Sequence, residues 1–286
     1  MSSSQPAPFE RDSRGILDPW LLRQRVQLTR HPASPALAGL VDRFWAVRWD
    51  LPPGVVHRQQ VLTHPGANIS VGNADARPGD RAARPIEARL NGVARSLTTR
   101  TLVGQGWTIA AMTRPGGLGA FVAGSAADFT DRIVALGQAV GVDDAALTEA
   151  ITSEPDEAAR VGVLAAALEQ AVDPERVQPA SHVADLARLA ETSRAIRRLA
   201  DLCAAAGLGQ RTLQRMFLHY AGVSPTWVIR RYRLLEAAEA VRDGSAVSWG
   251  QVAADLGYAD QAHLIRDFRA AIGQTPARYA QAQSSG

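Results

Sequence analysis

Two segments near the C-terminus repeat one pattern about 50 residues apart. The first reads Leu199-x-x-Leu202-Cys203-x-x-x-Gly207, Leu213-x-Arg215-x-Phe217, Gly222-Val-Ser-Pro225. The second reads Trp249-x-x-Val252-Ala253-x-x-x-Gly257, Leu264-x-Arg266-x-Phe268, Gly273-Gln-Thr-Pro276. Each describes a helix, a Gly-containing turn and a second helix. Leu202 and Cys203 face inward on the first helix, and Gly207 supplies the left-handed turn residue at no steric cost. Leu213 and Phe217, four apart, share the inward face of the second helix.

That arrangement leaves Gln210, Arg211, Thr212, Gln214 and Arg215 on or beside the outward face of the first unit. In the second unit Asp260 reads as the N-cap, with Gln261, Ala262, His263 and Arg266 outward. Helix-turn-helix units seat such a face in the DNA major groove. Arg matches guanine, Gln matches adenine, and Ala offers contact to a thymine methyl. Ser224-Pro225 opens a connecting helix expected to run to Arg242 before Asp243-Gly244. A rigid connector would hold both recognition helices at one spacing, about 34 Å for successive major-groove segments. Arg230, Arg231 and Arg233 on the connector are candidate phosphate contacts or intramolecular ion-pair partners, and Trp249 is a core residue with a second candidacy for phosphate.

Charge agrees in direction. All 31 basic residues are Arg; residues 1–174 hold 17 against 18 acids, and residues 175–286 hold 14 against 10. The basic half is the half with the repeat, as expected for nucleic acid. A hydrophobic fraction of 46% suits a globular chain with a real core. One Cys excludes an internal disulfide framework and suits a reducing cytoplasm. No apolar run is long enough for a transmembrane helix, and the start lacks the regions of a signal peptide.

Residues 1–17 read as a disordered tail, and Asp18-Pro19 as a helix start. From about 25 to 125, short alternating runs separated by Gly, Pro and Asn predict an antiparallel sheet or small barrel. Strands are expected at Val26–Arg30, Phe44–Trp49, Ile86–Leu90, Leu97–Val103 and Trp107–Met112, with one interrupting helix at Pro35–Val41. Helices follow over 128–171, then a break at Asp173-Pro174 with a linker to about Pro179, and another helix over 181–191. The expected organisation is therefore an α+β domain over 18–174 and an all-α domain over 175–286.

The C-terminal residues closely resemble the AraC/XylS family of transcription regulators. The likeness spans roughly residues 181–281. It is carried by Arg211-Thr-Leu-Gln-Arg-Met-Phe217, Arg230-Arg-Tyr-Arg-Leu-Leu-Glu-Ala-Ala238, Gly257-Tyr-Ala-Asp-Gln-Ala-His-Leu-Ile-Arg-Asp-Phe268 and the two Gly-x-[Ser/Thr]-Pro segments. Gly209 stands where a Ser cap is usual, and Cys203 where Ala is usual. Residues Pro35–Asp50 and Arg114–Phe121 resemble an uncharacterised sensor-type domain found ahead of such DNA-binding domains. The resemblance implies a promoter site spanning two major-groove segments, activation more often than repression, and contact with RNA polymerase. It also implies a small-molecule effector or, alternatively, an N-terminal half that only dimerises.

No phosphate loop, Ser/His/Asp arrangement or paired carboxylates mark a catalytic site, so no enzyme and no cofactor is expected. An alkyl-transfer fusion needs a reactive Cys, and Cys203 sits on an inward helix face of the wrong half. His57 and His64 lack metal-ligand spacing, so no metal is expected. Trp45, Trp49 and Trp107 are candidates to line an effector pocket, or simply to fill the barrel.

Overall fold

The computed structural model describes residues 24–242 and 248–284. The expected tail, the Asp18-Pro19 helix start and Asp243-Gly244 lie outside them.

The strands are β1 Val26–Pro32, β2 Val41–Asp50, β3 Val56–Val61, β4 Asn68–Asn73, β5 Ile86–Asn91, β6 Thr98–Val103, β7 Gln105–Thr113 and β8 Ile133–Ala135. Six form an antiparallel sheet in the order β1-β2-β7-β4-β5-β8, and β3 pairs with β6 in a second, two-stranded sheet. Alternation decides the faces. On β2, Phe44 and Ala46 point to one side, where Ile69, Val71, Leu90, Ile109 and Ala111 complete a buried core with the helices. Trp45, Val47 and Trp49 point to the other side, toward β3 and β6. The five expected strands are present. The three not foreseen are β3, β4 and the three-residue β8. β3 reads as polar sequence yet buries His57 and Gln59, and β4 carries Asn at both ends and Gly72 within.

Three helices follow the sheet: α1 Leu136–Val140, α2 Asp144–Ser153 and α3 Glu157–Ala171. Asp143 caps α2 by accepting from the amides of Ala145 and Ala146, and Asp156 caps α3 through the amide of Ala159. The C-terminal helices are α4 Pro174–Thr192, α5 Leu199–Ala206, α6 Gln210–Ala221, α7 Pro225–Arg242, α8 Trp249–Asp255, α9 Gln261–Ile272 and α10 Pro276–Ser284.

Two expectations are corrected. The helix at Pro35–Val41 is a run of turns, with a single i→i+4 bond from the amide of Val41 to Leu37. The linker at 174–179 is the start of α4. Asp173 accepts from the amide of Glu175 and Pro174 takes the first helical position, so the dipeptide starts a helix instead of breaking one. Pro179 lies inside that helix, where it removes one backbone bond without ending it. One buried cluster runs from the sheet through α4 into α6, α7 and α9.

Candidate DNA interface and effector cavity

The two helix-turn-helix units share one pattern, with one extra residue in the turn of the second, where Gly257 precedes Leu264 by seven positions against six from Gly207 to Leu213. In the first, Gly207 adopts the left-handed conformation at φ 62° between α5 and α6. Leu202, Leu213 and Phe217 are fully buried; in the second unit Ala253, Leu264 and Phe268 are buried alike. Asp260 accepts from the His263 amide at 2.7 Å, capping α9. Gly209 holds the equivalent position before α6 without a side-chain bond.

On α6, Gln210, Arg211 and Arg215 are exposed, while Thr212 and Gln214 are half-buried at the edge of the same face. On α9, Gln261, Ala262 and Arg266 are exposed. His263 is half-buried: its ring meets Tyr258 edge-on at 5.3 Å, and its Nε2 lies 3.8 Å from the Asp267 carboxylate. Trp249 is half-buried and packs against the core.

The connector α7 is buried on nearly every side, through Val228, Ile229, Tyr232 and Leu235. Arg230 alone of its three central arginines faces solvent. Arg231, read from sequence as a phosphate candidate, is only 2% exposed. It stacks under Trp227 at 4.6 Å and donates to the carbonyl of Arg95. Burial pulls its pKa down to about 10, against the raising effect of the Asp131 carboxylate. A side chain so committed has no reach to a phosphate. Arg233 forms the expected intramolecular pair with Glu236 at 3.0 Å, and also donates to the carbonyls of Ala190, Ser193 and Ile196. Those acceptors lie at and just beyond the end of α4, where carbonyls lack helical partners.

The N-terminal half grips the first unit at the C-terminal end of α6, leaving the exposed Gln210 and Arg211 at its N-terminal end uncovered. Gly119 lies against Tyr220, where an added Cβ would come within 2.5 Å of the ring. Ser125 Oγ donates to the carbonyl of Leu218, and Thr130 Oγ1 to that of Gly222. Arg176 on α4 donates to the carbonyls of Gly119, Ala123 and Gly124, and meets His219 Nε2 at 3.1 Å. Burial, then the Arg176 charge, lowers the His219 pKa. Neither Arg176 nor His219 stands out in the sequence, because Arg176 serves main-chain carbonyls and His219 meets Arg176, 43 positions earlier.

Between the two sheets lies a cavity of about 210 Å³. Of the three Trp with two candidate roles, Trp45 and Trp49 line it and Trp107 does not. The register explains the difference: Trp45 and Trp49 pair with Ala110 and Gly106, so the cavity face of β7 carries its even-numbered residues. Trp107 points to the opposite face and packs under Arg160 at 4.4 Å. The wall also holds Arg89, Arg100, Asn91 and Asp75, polar residues from separate segments that no sequence motif links. Among the described residues no group of His, Cys, Asp or Glu side chains is placed to hold a metal.

Two matched helix-turn-helix units on a buried connector define a sequence-reading DNA-binding protein. Residues 202–282 match the family described as a helix-turn-helix domain, and residues 29–135 match a domain of unknown function (DUF6597). The chain is a DNA-binding transcription regulator whose C-terminal domain is of the AraC type. No curated protein matches it. Similar solved structures include ToxT from Vibrio cholerae, 10% identical at a TM-score of 0.40, covering 90% of this chain and 98% of that one. ToxT of the same organism bound to an unsaturated fatty acid is 13% identical at a TM-score of 0.36, covering 83% and 94%. ToxT bound to (E)-4-(8-methylnaphthalen-1-yl)but-3-enoic acid is 11% identical at 0.38, covering 90% and 98%. Among the described residues no helix is long and apolar enough to cross a membrane.

Proposed function

We propose a one-component regulator in which residues 18–174 sense a small molecule and residues 175–286 read a promoter site. The observation that carries this reading is the matched pair of exposed faces on α6 and α9. Exposed Arg211 and Arg215 on the first, and Gln261 and Arg266 on the second, have the chemistry for base edges. The faces differ in sequence, so one chain reads an asymmetric site, with α6 and α9 in successive major-groove segments. Gln210, Thr212, Gln214 and Ala262 complete the reading set, and His263 contributes from its edge. Arg230 and Trp249 serve the phosphates. Regulation is a population shift: an effector favours the arrangement of the two halves to which it binds more tightly.

We assign the role of activator, acting in the cytoplasm with RNA polymerase as partner and without catalysis or cofactor. The open space beside Trp45 and Trp49 supports a sensing role over one of dimerisation alone, since a self-association module gains nothing from an internal cavity. A homodimer is compatible with either. Selection of bound sequences from random DNA by the full chain tests the central reading. Enrichment of an asymmetric site with two motifs one helical turn apart is expected. Recovery of no preferred sequence even at low salt would overturn it.

A further inference from the structure

The cavity has two chemically distinct ends. Along one row of the sheet, pairing runs Trp45–Ala110–Ser70–Arg89 across β2, β7, β4 and β5. Three strand spacings separate Trp45 from Arg89, about 14 Å at the backbone. The positions between are the small residues Ala110 and Ser70, so the floor there is low. The Trp45 end carries the apolar groups Leu28, Val47 and Leu102, beside Arg30, which pairs across from Trp45 on β1, and Arg43. The indole N–H of Trp45 is already given to Asn68 Oδ1 at 2.9 Å, so the ring offers only its apolar surface.

The Arg89 end holds more positive charge than its neighbours neutralise. Arg100 pairs with Asp75 at 2.9 Å and donates to Asn91 Oδ1. Arg89 forms no ion pair among the described residues; its one hydrogen bond runs to the main-chain carbonyl of Asn73. Its Nε is buried without a partner. Desolvation, then the charge of Arg100, lowers the Arg89 pKa. Asn91 turns its amide to Ser70, so its remaining chemistry adds no negative charge. Asp75 and Glu87 offset part of this charge, and a guanidinium nitrogen buried without a partner beside a second cation favours a further anion at the site.

We propose that this cavity takes a small organic monoanion, a carboxylate held by Arg89 beside Arg100, with a compact aromatic or aliphatic body against Trp45. A carboxylate presents two oxygens to a guanidinium fork. At about 210 Å³ the space falls below that of pockets for drug-sized ligands, which limits the body to about one ring. This inference rests on the reading of the N-terminal half as a sensor.

Calorimetric titration of the full chain at neutral pH with benzoate, phenylacetate and hexanoate, each against its uncharged amide, tests it. At least one acid is expected to bind ten-fold or more tighter than its amide. Arg89→Gln should erase that preference and Arg89→Lys should restore part of it. Since the Arg89 side chain makes a single hydrogen bond, both variants should keep the thermal stability of the parent. Equal binding of acid and amide would overturn anion selection while leaving a ligand-binding sensor in place. No binding by any of the six compounds would overturn the inference itself. Acid binding that leaves the affinity for selected DNA unchanged would support the anion site and sink its role as the effector site.

Discussion

Arg231 on the connector helix donates a hydrogen bond to the main-chain carbonyl of Arg95, a residue 136 positions earlier in the chain. The acceptor loop is itself held in place. The amide and Nε of Arg95 reach the two carboxylate oxygens of Asp131 at 2.7 and 2.6 Å. Burial alone would raise the Asp131 pKa, but these bonds from Arg95 hold the carboxyl below its ordinary range. The same loop leaves β5 just after Asn91, which lines the cavity. A buried guanidinium of the DNA-binding half is thus seated on a segment that starts at the cavity wall.

Arg231→Met keeps an unbranched side chain under Trp227 and removes the bond. It also leaves the Arg95 carbonyl without its charged donor. The expected loss is about 1.5–3 kcal/mol of stability, the range for hydrogen bonds to charged groups. Faster hydrogen exchange should be confined to the loop around Arg95 and to neighbouring turns of α7. A loss below about 0.5 kcal/mol, the level of an ordinary surface substitution, would show that the contact does not hold the halves together.

The repeat was legible because it rests on local rules: Gly at the turn, apolar residues four apart, a cap before each recognition helix. The strands of the N-terminal half were legible where alternation was strong, as in Phe44–Trp49. β3 was hidden because His57 and Gln59 face inward, and their burial depends on partners far along the chain. The misplaced linker has the same origin, since Asp-Pro starts a helix as readily as it ends one. Trp107 shares its residue type with Trp45 and Trp49, while register, which no single strand contains, sends it to the other face. Arg231 and Arg230 are adjacent in sequence and opposite in fate for a related reason: which side of α7 meets the N-terminal half is decided by packing.

Acidification should loosen the contact between the halves. His219 has a folded pKa below its ordinary 6.5, lowered first by burial and then by Arg176. The unfolded state therefore binds the proton more readily, and stability rises with pH across that window. The contribution is fully present above 6.5 and fades as pH falls through the lower folded value. His219→Gln should flatten this part of the profile of melting temperature against pH. A variant whose melting temperature falls as steeply as the parent's would assign the slope to other groups.

Gly222 and Gly273 are equivalent caps after the two recognition helices, at φ 77° and 80°. Alanine at either position pays the left-handed strain, about 1–2 kcal/mol. Only Gly222 faces the N-terminal half: a Cβ there would sit 2.8 Å from the carbonyl oxygen of Ala126 and from Thr130 Oγ1, while Gly273 has open space within 4 Å. Gly222→Ala should therefore cost at least about 1 kcal/mol more, the scale of overpacking. Denaturant titration of the two variants checks the difference, and equal losses would mean that this contact yields without cost.

Arg266 and Arg230 are both exposed, yet different losses are expected from them. Arg266 stands on the outward face of α9 one turn after Gln261 and Ala262, where a guanidinium meets base edges. Arg266→Ala should weaken binding to the selected site by about 1–3 kcal/mol and relax the preference at one base pair. Arg230 extends from the connector, away from both recognition faces in sequence. Its removal should weaken binding to every sequence alike and reduce the salt slope by about one. Titrations of each variant against the selected site and single-base variants, at two salt concentrations, separate the two roles. If Arg266→Ala lowered affinity uniformly, with the smaller salt slope, then α9 would be positioned by that residue through the backbone, and the discrimination in the second half-site would fall to Gln261 and His263.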